Sequence, residues 1–135
     1  MGYLKAAMVA LSLLAFAGAV QAGTALLVDP EPVAIPAGLS TTKVVKDIKR
    51  TLAGRGWAVT SEQEGQIDST LTLRAHVARI RISYDDKQVR IAYVDSSNLD
   101  YKLKRGKAYV HSNYMGWMGY LTTDLATNLQ LSTTD

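Results

Sequence analysis

The run Ile67-Asp68-Ser69-Thr70-Leu71-Thr72-Leu73-Arg74-Ala75-His76-Val77-Ala78-Arg79-Ile80-Arg81-Ile82-Ser83-Tyr84 decides the fold class. Apolar and polar residues alternate along it, the pattern of strands with one face buried and the other wet. The alternation changes phase partway. Ile67, Leu71, Leu73, Ala75 and Val77 hold odd positions, whereas Ile80, Ile82 and Tyr84 hold even ones. A ribbon of period two cannot carry its apolar set to the opposite face without an extra residue, so the pattern predicts a β-bulge near Ala78, or a break into two strands there. Asp85-Asp86-Lys87 then turns the chain into a further alternating strand through Val89, Ile91 and Tyr93, with Arg90 outward.

Before this run, Trp57 and Val59 alternate as a short strand that ends in the polar turn Glu62–Gln66 around Gly65. Ahead of that strand, Val44, Val45, Ile48 and Leu52 recur at helical spacing, with Lys43, Lys46, Asp47, Lys49 and Arg50 placed to face away. Ser40, Thr41 and Thr42 offer N-cap oxygens, and Gly54 and Gly56 stand where a helix must be left. After it, the basic run Lys102 to Lys107 around Gly106 reads as a hairpin tip or loop. Ser112 or Asn113 can cap a second helix, along which Tyr114, Trp117, Leu121, Leu125 and Leu129 share a face. Within it, Gly116 and Gly119 either weaken the helix or allow close approach to the sheet. The order predicts an α+β two-layer sandwich over residues 41–131: helix, antiparallel three- or four-stranded meander, helix.

The first 22 residues place Lys5 before an apolar run and end in Ala19-Val20-Gln21-Ala22, which reads as a signal peptide cleaved before Gly23. The run falls short of the roughly 20 apolar residues a membrane span needs, so no transmembrane segment is expected after cleavage. Residues 23–40 contain Pro30, Pro32 and Pro36, all the prolines of the chain, and read as an extended linker. With no cysteine there is no disulfide, thiolate site or acylated N-terminus, and the expected location is free in the periplasm. The net charge of +3 on 135 residues is too small to name a partner.

Arg55-Gly56-Trp57, Arg74 with His76, Tyr93-Val94-Asp95-Ser96-Ser97-Asn98-Leu99-Asp100-Tyr101, and His111-Ser112-Asn113-Tyr114 followed by Trp117 and Leu121 together carry a resemblance. The chain resembles a group of small exported bacterial envelope proteins and lipoproteins of uncharacterised function. The resemblance spans about Val44 to Leu125 and implies a cell-envelope location, not an activity. It lacks that group's lipobox cysteine, which agrees with a free periplasmic protein.

The candidate binding residues are Arg74, His76, Arg90, Asp95, Asn98, Lys104, Arg105, Lys107, Tyr109 and His111. His76, Asp95 and His111 would suit acid–base work or a zinc or copper ion if they met in one pocket. No nucleophile elbow surrounds Ser96, however, and Asp95, Ser96 and Asn98 are ordinary turn formers at a strand exit. The arginines 74, 79, 81 and 90, with the basic run 102–107, would suit phosphates or carboxylates of the envelope, or else form a solvated sheet face. The chain therefore reads as a binding or interaction module of the bacterial cell envelope, with no catalysis or cofactor expected. Its expected partner is an envelope protein or an anionic lipid or glycan, and nucleic acid is a poor one. The alternative is an enzyme or metal-binding protein using His76, Asp95 and His111.

Overall fold

Helix α1 (Thr41–Gly54) begins where Ser40 Oγ accepts the Lys43 N–H at 3.2 Å. It ends at Gly54, and just beyond it Gly56, with φ 84°, takes the left-handed turn cheaply and returns the Trp57 N–H to the Leu52 carbonyl at 2.9 Å. Val44, Ile48 and Leu52 are buried, as their spacing predicts. Asp47 is buried too, contrary to its expected outward face. Its carboxylate accepts a 2.6 Å hydrogen bond from Ser132 Oγ, and Thr51 Oγ1 accepts one from Asn128 Nδ2 at 2.9 Å. These partners lie on the second helix, far along the chain, so no local pattern announces them.

The computed structural model describes residues 23–135; the signal-peptide reading of residues 1–22 falls outside them. The fold is α+β. A five-stranded antiparallel sheet has the order β2 (Val33–Ala34), β6 (Gln88–Ser97), β5 (His76–Tyr84), β4 (Gln66–Leu73), β3 (Ala58–Gln63). A second, three-stranded sheet has the order β1 (Thr24–Leu26), β8 (Lys107–His111), β7 (Lys102–Lys104). Helix α2 (Ser112–Ser132) follows directly from β8. Ile48 and Leu52 of α1 meet Leu121 and Leu125 of α2 above Ile82 and Ile91, so both helices cover one face of the larger sheet. No helix among the described residues is long and apolar enough to cross a membrane.

The phase change between Val77 and Ile80 reflects a chain reversal. β4 stops at Leu73, Arg74-Ala75 turns, and β5 starts at His76, so Leu73 and His76 are cross-strand partners. The odd positions of β4 then face the even positions of β5 over the core, with Ile67 opposite Ile82, Ser69 opposite Ile80 and Leu71 opposite Ala78. Ala75 lies in the turn, and Val77 points away from the core opposite Thr72. A register slip does occur beside Ala78, between Arg79 and Ile80. Their partners are Asp95 and Tyr93, so the extra residue is Val94 on β6.

Residues 23–40 are extended but are no linker. β1 pairs with β8, β2 pairs with β6, and the carboxylate of Asp29 accepts the Tyr93 N–H at 3.0 Å. The prolines permit this because β2 is a two-residue edge strand that needs few donors. The weakly patterned region after Asp95 likewise contains the β7–β8 hairpin, so the four-stranded meander β3–β6 is only part of the sheet structure. In α2 the N-cap is His111 rather than Ser112 or Asn113: its Nδ1 accepts the Asn113 N–H at 3.0 Å.

A Cβ placed on Gly116 or Gly119 meets nothing within 4 Å, so neither glycine serves close packing. Gly116→Ala and Gly119→Ala are each expected to stabilise the fold by about 0.5–1 kcal/mol, measured by urea unfolding, since only helix-interior entropy changes. Asp47→Ala leaves Ser132 Oγ buried without its partner. The same measurement is expected to show a loss of about 1–3 kcal/mol.

Candidate functional site

The Arg74-Ala75 reversal brings three distant parts of the chain together. His76 Nδ1 donates to the carbonyl of Asn98 at 2.7 Å, and Asn98 Nδ2 donates back to the Ala75 carbonyl at 3.5 Å. Asn98 reaches this position with a left-handed φ of 57°, which asparagine tolerates. Leu99, next in the chain, is buried, and its carbonyl accepts the His111 N–H at 2.8 Å. The turn after β6 thus joins the β4–β5 hairpin to the start of α2. Between them is a cleft of about 260 Å³ lined by Leu73, Arg74, His76, Leu99, His111, Asn113 and Trp117.

Each imidazole is held by one ring nitrogen, and the partner sets its tautomer. A carbonyl only accepts, so neutral His76 carries its proton on Nδ1 and leaves Nε2 as an acceptor. A backbone N–H only donates, so neutral His111 carries its proton on Nε2. Leu73 and Trp117 also line a second cleft of about 210 Å³, with Arg55, Trp57, Leu71 and Tyr120. The two clefts are neighbours that share Leu73 and Trp117 as lining residues. In the second, the Arg55 guanidinium lies 4.6 Å over the Tyr120 ring and is held by Asp124 at 2.7 Å. Hydrogen bonding to Asp124 raises the Arg55 pKa, and the same bond lowers that of Asp124.

Other sequence candidates are placed elsewhere. Asp95 lies on the outer sheet face and pairs with Arg79 at 2.8 Å, away from the histidine cleft. Arg81 forms a two-pronged bond to Asp68, at 2.9 and 3.2 Å. Half of the expected basic sheet face is therefore neutralised in cross-strand pairs. Arg90 borders a cleft with Ser83, Tyr84, Asp85 and Gln88, separate from the concavity lined by Lys104 and Tyr109.

The basic run does form a surface. Lys102 pairs with Tyr109 and Lys104 with Lys107 across the β7–β8 hairpin, which puts Lys102, Lys104, Lys107 and Tyr109 on one face, with Arg105 at the turn. Lys104, Arg105, Lys107 and Tyr109 border an open concavity of about 450 Å³. None of these cations is in an ion pair among the described residues. Two lysines directly opposite one another destabilise a hairpin, so this charge does nothing for folding.

No protein-family model, curated protein or solved structure matches the chain. Of the residues proposed for catalysis or metal binding, His76 and His111 share a cleft and Asp95 does not join them. No group of three or more metal-ligating side chains occurs among the described residues. Sequence reasoning did not find the Arg55, Tyr120 and Asp124 cluster or the wall formed by Leu73 and Leu99, because each depends on contacts between distant segments.

Asp68 and Asp124 sit below the ordinary carboxylate value through their bonds to Arg81 and Arg55, and Asp85 does so by accepting the N–H groups of Lys87 and Gln88. A carboxyl with a lowered folded-state pKa stabilises the fold above its unfolded value and loses that contribution as pH falls through the folded one. The urea midpoint is therefore expected to drop below about pH 4. The Asp68→Asn/Asp124→Asn variant is expected to show a shallower acid drop than the parent.

Proposed function

We propose that the protein is a small exported binding module of the bacterial cell envelope that docks on anionic envelope material through the β7–β8 hairpin. The observation that carries this is the hairpin itself: a cationic face of Lys102, Lys104, Lys107 and Tyr109, with Arg105 at its turn, free of ion pairs among the described residues. Lys104 faces Lys107 at a cost in stability, and an anionic partner would relieve that repulsion. Each Lys or Arg near an anionic surface contributes about 1 kcal/mol, and the attraction fades within a Debye length of about 8 Å at physiological salt. The signal-like leader and the resemblance of the Asp-Ser-Ser-Asn-Leu-Asp-Tyr segment, residues 95–101, support an envelope location. Binding rather than catalysis is favoured by the separation of Asp95 from the two histidines.

Sedimentation with lipid vesicles tests the reading. Vesicles containing phosphatidylglycerol are expected to retain the protein at low salt and release it as salt rises, while phosphatidylcholine vesicles do not retain it. Lys104→Glu/Lys107→Glu, at exposed positions, is expected to abolish retention. Equal retention by neutral and anionic vesicles at low salt overturns the proposal.

A further inference from the structure

The groove between the β4–β5 hairpin and α2 offers an independent site with its own chemistry. The part of it bordered by Arg74, His76, His111 and Asn113 contains no carboxylate, and Arg74 has no ion-pair partner among the described residues. Arg74 supplies a fork of donors, neutral His111 supplies Nε2–H, and the Asn113 side chain supplies an amide. Both rings are pinned by main-chain partners, at 2.7 Å for His76 and 3.0 Å for His111, so little ordering is left for a ligand to impose. A guanidinium beside donors, with no acid to compete, matches a carboxylate.

The rest of the groove is of the opposite character. Leu73 and Trp117 line both the first cleft and its neighbour, where Tyr120 is 53% exposed. Flat apolar rings and leucine side chains present a surface to an uncharged, ring-sized body, with no cation or anion left unpaired at that end because Arg55 is held by Asp124. The first cleft, about 260 Å³, is close to the lower end of the roughly 300–1,000 Å³ of small-molecule sites, which suits a small ligand, and the second, about 210 Å³, borders it at Leu73 and Trp117.

We infer that this groove binds a small monocarboxylate, with its carboxylate at Arg74 and His111 and its ring-shaped body along Leu73 and Trp117. Acidic sugars and aromatic acids share this chemistry, and the probes below separate them. The site uses none of the hairpin cations, so it stands or falls apart from vesicle binding.

The test is a titration of the full protein, followed by the ring resonances of His76 and His111 and the indole of Trp117. The probes are N-acetylmuramic acid, N-acetylglucosamine, which lacks the lactyl carboxylate, and benzoate. A saturable shift with N-acetylmuramic acid and at least tenfold weaker binding of N-acetylglucosamine are expected, identifying an acidic sugar. Saturation with benzoate but not N-acetylmuramic acid also supports the carboxylate site and assigns the body to an aromatic acid. Arg74→Gln is expected to weaken the bound acid about tenfold with its melting curve unchanged, as Arg74 makes no ion pair among the described residues. His111→Asn retains an N-cap acceptor for α2 while removing the imidazole, and is expected to weaken binding as well. Equal saturable binding of the two sugars, no saturable shift with either acid, or affinity unaffected by Arg74→Gln overturns the inference.

Discussion

The packing of α1 against α2 over the inner face of the five-stranded sheet is the constraint on which the other placements rest. Ile48, Leu52, Leu121 and Leu129 are almost wholly removed from water, so the helices cannot move apart without opening the core. Apolar contact alone tolerates some sliding. The buried carboxylate of Asp47 does not, because it needs a hydrogen-bonding partner and finds it in Ser132 at the last turn of α2. The Thr51–Asn128 bond one turn away holds the same alignment. Lys43 Nζ, donating to the Ser132 carbonyl at 3.3 Å, closes the exposed side of this junction.

At the opposite end of α2, the first turns pack against the sheet and border the groove. Tyr114 and Met118 enter the core, and Trp117 and Tyr120 fall on the groove side. Tyr114 meets Tyr93 edge-on at 5.5 Å, and Tyr93 stacks on Tyr101 at 5.4 Å. Burial raises the Tyr93 phenol pKa, and its hydroxyl is paired with Ser96 Oγ at 2.7 Å. These rings tie β6 to the segment before β7 and to the first turn of α2. The groove itself lies where a hairpin turn, the Asn98-Leu99 turn and a helix start converge, a place no regular element can cover.

Charge is distributed in two distinct ways. On the outer face of the larger sheet, Arg79 and Arg81 are answered by Asp95 and Asp68, which leaves a solvated surface with little net field. On the β7–β8 hairpin and at Arg74 no such answer is present among the described residues. The overall charge of +3 hides this contrast, since it averages a neutralised sheet with concentrated positive regions.

Periodicity by itself determined much of this protein. The Val44, Ile48 and Leu52 face of α1, the Tyr114, Leu121, Leu125 and Leu129 face of α2, and the buried Ile67, Leu71, Ile80, Ile82, Val89 and Ile91 of the sheet follow from local spacing, because a helix or a strand repeats its geometry every few residues. Val77 and Leu73, on the expected apolar face, are not in the core, Trp117 is only partly buried, and Ser69, Ala78 and Met118 are buried instead. Only the tertiary structure decided where the run from Ile67 to Tyr84 reverses, since a tight two-residue turn and a bulge shift the apolar phase in the same way. It also decided that Asp47 lies inside, that the proline-containing segment pairs, and that His76 and His111 share a cleft while Asp95 does not. Each of these depends on partners brought from distant parts of the chain, and a pattern read over a few residues holds no record of them.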